Sequence, residues 1–155
     1  MKCIRTYCFK LYNSKKNRKL HSQINAAGLI YNHCIALHKR YYRLFKKQFN
    51  ANRLKVHLAK IKKLGRFSYI REIGSQAVQD IAERIDRAYK LFFENLKRKV
   101  RTAPPNFKKV AKYKSFTLKQ AGYKFLDGNR LRIVCTLEYH DFSRGSMSNL
   151  TRYIS

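Results

Sequence analysis

The chain has 155 residues, and 36 Lys and Arg residues against 8 Asp and Glu residues give it a formal net charge of +28. This length suits one compact domain, or one domain with a helical insertion, and excludes two full-sized domains. A content of 45% hydrophobic and 14% aromatic residues excludes a disordered basic tail, while the charge calls for a polyanionic partner, with nucleic acid ahead of an anionic membrane surface.

The first predicted elements are a short strand and a long helix. Residues 2–12 are rich in β-forming side chains and predict a strand. Between residues 16 and 49 the apolar side chains recur at helical spacing and predict a helix with one apolar stripe. Gly28 lies inside this helix, where it costs about 1 kcal/mol against Ala, which indicates a bend or the close approach of another element.

Two more helices are predicted before the first proline. Residues 53–64 form the shorter one, which Gly65 stops, and residues 66–73 read as a loop. Residues 75–100 form the other, with Ser75 as its expected N-cap. Pro104 and Pro105 end this helical region, because proline does not continue a helix.

The pattern changes after Pro105. Residues 114–119 predict a strand, and residues 122–126 and 130–139 predict a hairpin around the turn 127–129. The fold class expected is therefore α+β, in which a helical insertion interrupts a small β domain. Its expected parts are a β domain of residues 1–14 plus 101–139, a helical domain of residues 15–100 and a tail of residues 140–155.

The positive charge is concentrated in two blocks. Residues 1–71 hold 19 basic residues and no acidic one, and residues 101–135 hold 9 basic residues and only Asp127. A face without carboxylates is under mutual repulsion, so a phosphate-tracking surface is at least as well founded as a merely solvated one. On the long helix this face consists of Lys39, Arg40, Arg43, Lys46 and Lys47.

No catalytic arrangement is visible in the sequence. Five of the eight carboxylates cluster in residues 72–100, where most alternate with Arg and Lys as helix pairs do. Cys34 and His38 stand at helical i,i+4 spacing on the apolar stripe, and core packing is favoured over zinc because no second ligand pair exists. We therefore expect neither a metal nor another cofactor, and no enzymatic activity in this chain.

Several segments together resemble the N-terminal part of the insertion-sequence accessory transposases called TnpB or OrfB, compact relatives of the type V CRISPR effector nucleases. The resemblance covers about residues 3–134 and rests on the order of its pieces rather than on any single one. The pieces are Phe9-Lys10-Leu11-Tyr12-Asn13, Leu29-Ile30-Tyr31-Asn32-His33, Ser75-Gln76-Ala77-Val78-Gln79, Asp86-Arg87-Ala88-Tyr89-Lys90-Leu91-Phe92-Phe93, Pro105-Asn106-Phe107-Lys108, Ser115-Phe116-Thr117 and Asp127-Gly128-Asn129-Arg130-Leu131.

The resemblance implies an oligonucleotide-binding-like β-barrel, called a wedge, interrupted by a helical recognition domain of helix-turn-helix type. It also implies that guide RNA, duplex DNA beside the target, or both are the partners. By match to the family, Ser75, Gln76, Gln79 and Thr117 face the target-adjacent DNA, and Lys108 joins the basic contacts. Gln can pair with an adenine edge, whereas the residues alone would read as an N-cap serine and surface glutamines.

The chain departs from the family in what it lacks. The RuvC-like nuclease with its three acidic residues and the four-cysteine zinc ribbon are both absent from the sequence. The function expected is a non-catalytic nucleic-acid-binding module. The alternatives are a subunit of a split RNA-guided endonuclease, whose nuclease lies on a partner chain, and a decayed, truncated transposase fragment. With no apolar run near the ~20 residues of a membrane span and no signal-peptide core after Met1, the expected location is cytoplasmic.

Overall fold

The computed structural model describes residues 10, 11, 15, 17–118, 123–126, 130–133 and 139–141. Contacts divide the chain into two compact units. One is Leu20–Gly122, and the other combines Met1–Lys19 with Tyr123–Ser155. No helix in the described part of the chain is both long enough and apolar enough to cross a membrane.

Three α-helices build the larger unit: α1 (Asn17–Phe45), α2 (Ala51–Ile61) and α3 (Gly74–Lys97). All three confirm the helices predicted from apolar periodicity, with ends that differ by a few residues. The backbone leaves α1 at Lys46, whose φ is 52°. The side chain of Asn50 then caps α2, accepting a hydrogen bond from the Arg53 amide at 2.9 Å.

Two expectations about the connections were wrong. Residues 66–73 were expected to be a loop, but a 3₁₀ segment (Gly65–Arg71) fills most of them. Ser75 is not the N-cap of α3, since Ile73 holds that position without any side-chain cap. The burial of Ile73 explains the early start, because packing of this side chain fixes the chain two residues before the polar signal.

The core of the larger unit lies where the three helices meet. The fully buried large aliphatic side chains are Ile30, Ile35, Leu54, Leu58, Ile73, Ile81 and Ile85. Cys34 and His38 are buried with them, which confirms that this pair packs in the core. The predicted stripe ends early, however, because Phe45 in the last turn of α1 is 57% exposed.

Gly28 marks a close approach, one of the two explanations that its position indicated. A Cβ atom placed there would lie 3.0 Å from Tyr113 Cβ and 3.5 Å from Val110 Cα. The short 3₁₀ turn Val110–Lys112 and Tyr113 after it therefore cross α1 so closely that a larger residue at position 28 would force the neighbouring atoms to move.

The segment that follows α3 packs on the helices and does not form the expected strand. Residues 114–118 have no regular secondary structure, although a strand was expected there. Arg84 of α3 explains why, because its guanidinium donates to the Ser115 carbonyl at 3.1 Å and to Thr117 Oγ1. Residues 101–118 accordingly belong to the helical unit, whereas the sequence analysis grouped them with the β domain.

The described strands of the other unit form one small antiparallel sheet in the order β1-β2-β3, with β1 (Tyr123–Leu126), β2 (Arg130–Ile133) and β3 (Tyr139–Asp141). Leu126 pairs with Arg130, which confirms the predicted hairpin. The turn 127–129 and most of the expected strand at residues 2–12 lie outside the described residues.

The predicted oligonucleotide-binding-like barrel is wrong for the described residues. Closing a sheet requires enough tilted strands to bring its two edges together. The described strands are three or four residues long, form one open three-stranded sheet, and gain no fourth strand from residues 114–118. The described residues are chiefly helical, and the three short strands follow the helices in the sequence.

Candidate nucleic-acid interface

One groove of the helical unit gathers basic side chains from α2, from the residues just after it and from the 3₁₀ segment. It lies along α2, the 3₁₀ segment and the first turns of α3, and its volume is about 490 Å³. Its floor is apolar, with Leu58, Ile70 and Val78. We call it the basic groove, and its polar lining residues are Lys55, Lys62, Lys63, Arg71, Ser75 and Gln79.

Arg71 fixes the end of α2 within this groove. Its Nε donates to the Lys62 carbonyl at 2.9 Å and its Nη2 to the Lys63 carbonyl at 3.4 Å. Carbonyls at a helix C-terminus have no partner inside the helix, so the guanidinium replaces the missing hydrogen bonds. The backbone that carries both lysines is thereby held in place.

Neutralisation within the groove is incomplete. Lys55 is matched by Glu83, with 2.7 Å between Nζ and Oε1. Lys62 and Lys63 are exposed and form no ion pair with any described residue. Their two charges are therefore directed at solvent, where they are available to an anion.

The residues predicted to read DNA fall in three different places. Ser75 and Gln79 are both exposed and line the basic groove, as their i,i+4 spacing on α3 allows. Gln76 is half-buried and is not part of the groove lining. Thr117 lies beside Arg84, whose guanidinium donates to its hydroxyl oxygen, so the structure does not bring it to the groove.

The basic face predicted on the long helix is solvent-exposed. Lys39, Arg40 and Arg43 lie on α1, whereas Lys46 and Lys47 lie just beyond its end, and all five are exposed as the sequence predicted. Lys39 is the most constrained of them, because its Nζ donates to Asn106 Oδ1 at 2.8 Å and lies 4.6 Å from the centre of the Phe107 ring.

Lys108 is presented beside this face by a clamp that the sequence did not reveal. The side chain of Asn32 donates to the Lys108 carbonyl at 2.8 Å and accepts from the Lys108 amide at 2.9 Å. The ammonium group of Lys108 lies 5.1 Å from the centre of the Tyr31 ring. The only sequence signal for the clamp was a carboxamide next to a tyrosine of the apolar stripe.

Two of the four carboxylates of α3, those of Asp80 and Asp86, are buried. Asp80, with a side chain 3% exposed, lies 2.6 Å from Arg84 Nε and 3.9 Å from Arg87 Nη2. Asp86 pairs with Lys90 at 2.9 Å and also accepts from the Ala51 amide at 3.3 Å, so it holds the start of α2. The prediction of i,i+4 pairs is confirmed for Asp80–Arg84 and Asp86–Lys90, but their burial was not foreseen.

Burial suppresses the ionisation of the core groups. It raises the pKa of the Cys34 thiol to about 12 and lowers the pKa of His38 to about 4, the latter opposed by the charge of Asp86. His33 and His57 face each other with 3.1 Å between their Nε2 atoms, and burial is the largest cause of the lowered pKa of each. Cys34 is therefore a protonated, unreactive thiol.

Comparison with known proteins adds no family to this picture. No protein-family model matches the chain, and no curated protein matches it either. Among the described residues, no group of three or more His, Cys, Asp or Glu side chains is placed to hold a metal ion.

Proposed function

We propose that this chain is a non-catalytic nucleic-acid-binding module of the kind that the TnpB/OrfB resemblance implies, holding guide RNA, target-adjacent duplex DNA or both. The observation that carries the proposal is the basic groove. It combines two unpaired lysines with Ser75 and Gln79, hydrogen-bonding side chains that are exposed beside them.

Different residues of the basic groove supply affinity and base preference, as in other protein–nucleic acid interfaces. Lys62 and Lys63 provide contacts to phosphates, which set affinity and make it depend on salt. Gln79 provides a carboxamide that can donate to and accept from one adenine edge, which gives base preference. The basic face of α1 adds further phosphate contacts outside the groove.

The experiment is a binding assay with duplex DNA and structured RNA over a salt series. The double variant Lys62→Ala/Lys63→Ala removes two phosphate contacts, so the slope of log affinity against log salt on duplex should become shallower by about 1.8. The control is Lys97→Ala/Arg98→Ala, which removes the same charge at the other end of α3, about 33 Å from Ser75 along the helix. This control should change the slope less if the groove is the duplex site.

Gln79→Ala tests base reading separately. It should leave the salt slope unchanged and reduce discrimination between duplex sequences by roughly 1–3 kcal/mol. Binding of the wild-type chain that does not respond to salt would refute the electrostatic basis of the proposal. Cleavage of either probe in the presence of magnesium would refute its non-catalytic part.

A further inference from the structure

A second groove of the helical unit is lined mainly by aromatic rings. It lies between the C-terminal halves of α1 and α3 and has a volume of about 380 Å³, and Pro104 is among its lining residues. We call it the aromatic groove. Its ring-bearing and apolar lining residues are His38, Tyr42, Tyr89, Phe92, Phe93, Leu96 and Pro104.

Its rings are open to an incoming planar group. Tyr42 is 53% exposed, and Phe92 and Phe93 are half-buried with ring centres 5.2 Å apart. Tyr113, in contrast, is only 7% exposed and packs on Tyr31, so it offers little surface for stacking. Several partly exposed rings therefore meet in this groove.

The floor carries an unmet polar requirement. The His38 ring stacks on Tyr89 with 4.5 Å between ring centres, and His38 Nε2 is buried without a hydrogen-bond partner among the described residues. Burial lowers the pKa of His38 to about 4, so the ring is neutral near neutral pH. A neutral imidazole can exchange one hydrogen bond with a polar ring edge, which an aliphatic side chain would not offer.

The rim is positively charged. Lys39 and Lys47 line the groove together with Gln48. No acidic residue precedes Glu72 in the chain, so α1 contributes no carboxylate to this rim. The charge of Asp86 on α3 acts on His38, but this carboxylate is already paired with Lys90. The rim therefore favours an anionic occupant.

We propose that the aromatic groove binds an unpaired nucleobase of a single-stranded nucleic acid, with the base against Tyr42 and the Phe92–Phe93 pair and the flanking phosphates on Lys39 and Lys47. Aromatic platforms beside lysines are the usual means of holding single strands without base pairing. This site is distinct from the basic groove, though the inference rests on the proposed nucleic-acid-binding function. An acidic apolar peptide is the competing occupant, and the test includes it.

The test uses the full chain and an oligothymidylate that carries one central 2-aminopurine, whose emission falls when it stacks. Binding should quench the probe. Tyr42→Ala should weaken binding of this oligonucleotide roughly tenfold and abolish the quenching, whereas Tyr42→Phe, which keeps the ring, should preserve both. Phe45→Ala is the matched control, because Phe45 is an exposed aromatic of the same helix that lies outside the groove.

The outcomes separate this inference from the proposed function. Duplex binding that is unaffected by Tyr42→Ala, with loss confined to the single strand, supports the aromatic groove as a base site. Single-strand binding without quenching, or an equal effect of Phe45→Ala, overturns the inference while leaving duplex binding in place. Binding of a fluorescently labelled peptide of alternating Glu and Leu that Tyr42→Ala abolishes, together with no binding of the oligothymidylate, assigns the groove to an acidic apolar peptide instead. A chain that binds neither duplex nor single strand refutes the proposed function itself.

Discussion

Replacing Gly28 with alanine should destabilise the helical unit, although the same change in an exposed helix would stabilise it. Alanine gains about 1 kcal/mol over glycine in a helix interior. At this position, however, the added Cβ would lie 3.0 Å from Tyr113 Cβ and 3.5 Å from Val110 Cα. The new methyl group must therefore displace the segment that crosses α1.

The structure shows why that displacement is costly. Tyr113 Cβ is bonded directly to the backbone, so no rotation of the side chain moves it away. The backbone itself is tied to α1 through Asn32, which holds Lys108, and through Tyr31, whose hydroxyl donates to the Asn106 carbonyl at 3.2 Å. Overpacking of this kind costs about 1–3 kcal/mol, so the net loss should be about 1 kcal/mol.

The assay is thermal and urea unfolding followed by the helical circular dichroism signal. A loss of about 1 kcal/mol corresponds to a fall in Tm of about 4 °C for a unit of this size. Gly65→Ala is the matched control, because a Cβ there meets nothing within 4 Å. It should be neutral or raise stability by about 0.5 kcal/mol through the unfolded chain.

A Gly28→Ala variant as stable as the wild type, or more stable, would refute this reasoning. It would mean that the segment at residues 110–113 does not lie against α1 in solution. Destabilisation by both glycine variants to the same extent would also count against it, because the steric argument applies only to Gly28.

Two further predictions concern buried titratable groups. The free energy of unfolding should fall as pH decreases from about 6.5 toward 4, because the unfolded chain protonates His38 in that range while burial keeps the folded ring neutral. In urea unfolding, His38 should make the free energy of unfolding about 2 kcal/mol lower at about pH 5 than at about pH 7. His38→Phe should reduce this difference. A difference unchanged by the substitution would assign the effect to other groups. Asp80→Asn should lower the free energy of unfolding by roughly 2–3 kcal/mol, because it leaves Arg84 and Arg87 without their shared carboxylate. The control Glu94→Gln, on the exposed part of the same helix, should change it by less than about 0.5 kcal/mol. Equal effects of the two variants would show that the Asp80 pairs add nothing to stability.

The helices and the hairpin were predictable because their signals are local. Apolar periodicity identified α1, α2 and α3, and Gly28 indicated either a bend or a close approach, of which the structure shows the close approach. The strand expected at residues 114–119 failed for a tertiary reason. Phe116 and Thr117 have β-forming side chains, but Arg84 of α3 donates instead to the Ser115 carbonyl and to the Thr117 hydroxyl oxygen, and these bonds hold the segment against α3.

The candidate sites were predictable only in part for the same reason. Helical spacing brought Ser75 and Gln79 to one face, yet nothing local places Lys62, Lys63 and Arg71 opposite them, since these come from other elements. The burial of Asp80 and Asp86 also lies beyond sequence reasoning, because most carboxylates remain at the surface. The barrel depended on strand pairings over about 100 residues, which no local pattern specifies.

The pairing of its carboxylates explains how α3, which holds four of the eight carboxylates of the chain, can accompany a basic surface. Asp80, Glu83 and Asp86 are each matched to a nearby cation, with Lys55 and Lys90 among the partners. Glu83 and Asp86 also link α2 to α3, and these pairs leave Lys62 and Lys63 of the basic groove unmatched. Because Coulomb interactions in water are screened within about 10 Å at ordinary salt, what a polyanion meets is this local excess rather than the average over the chain. The local excess of positive charge thus depends on the positions of the eight carboxylates as much as on their small number.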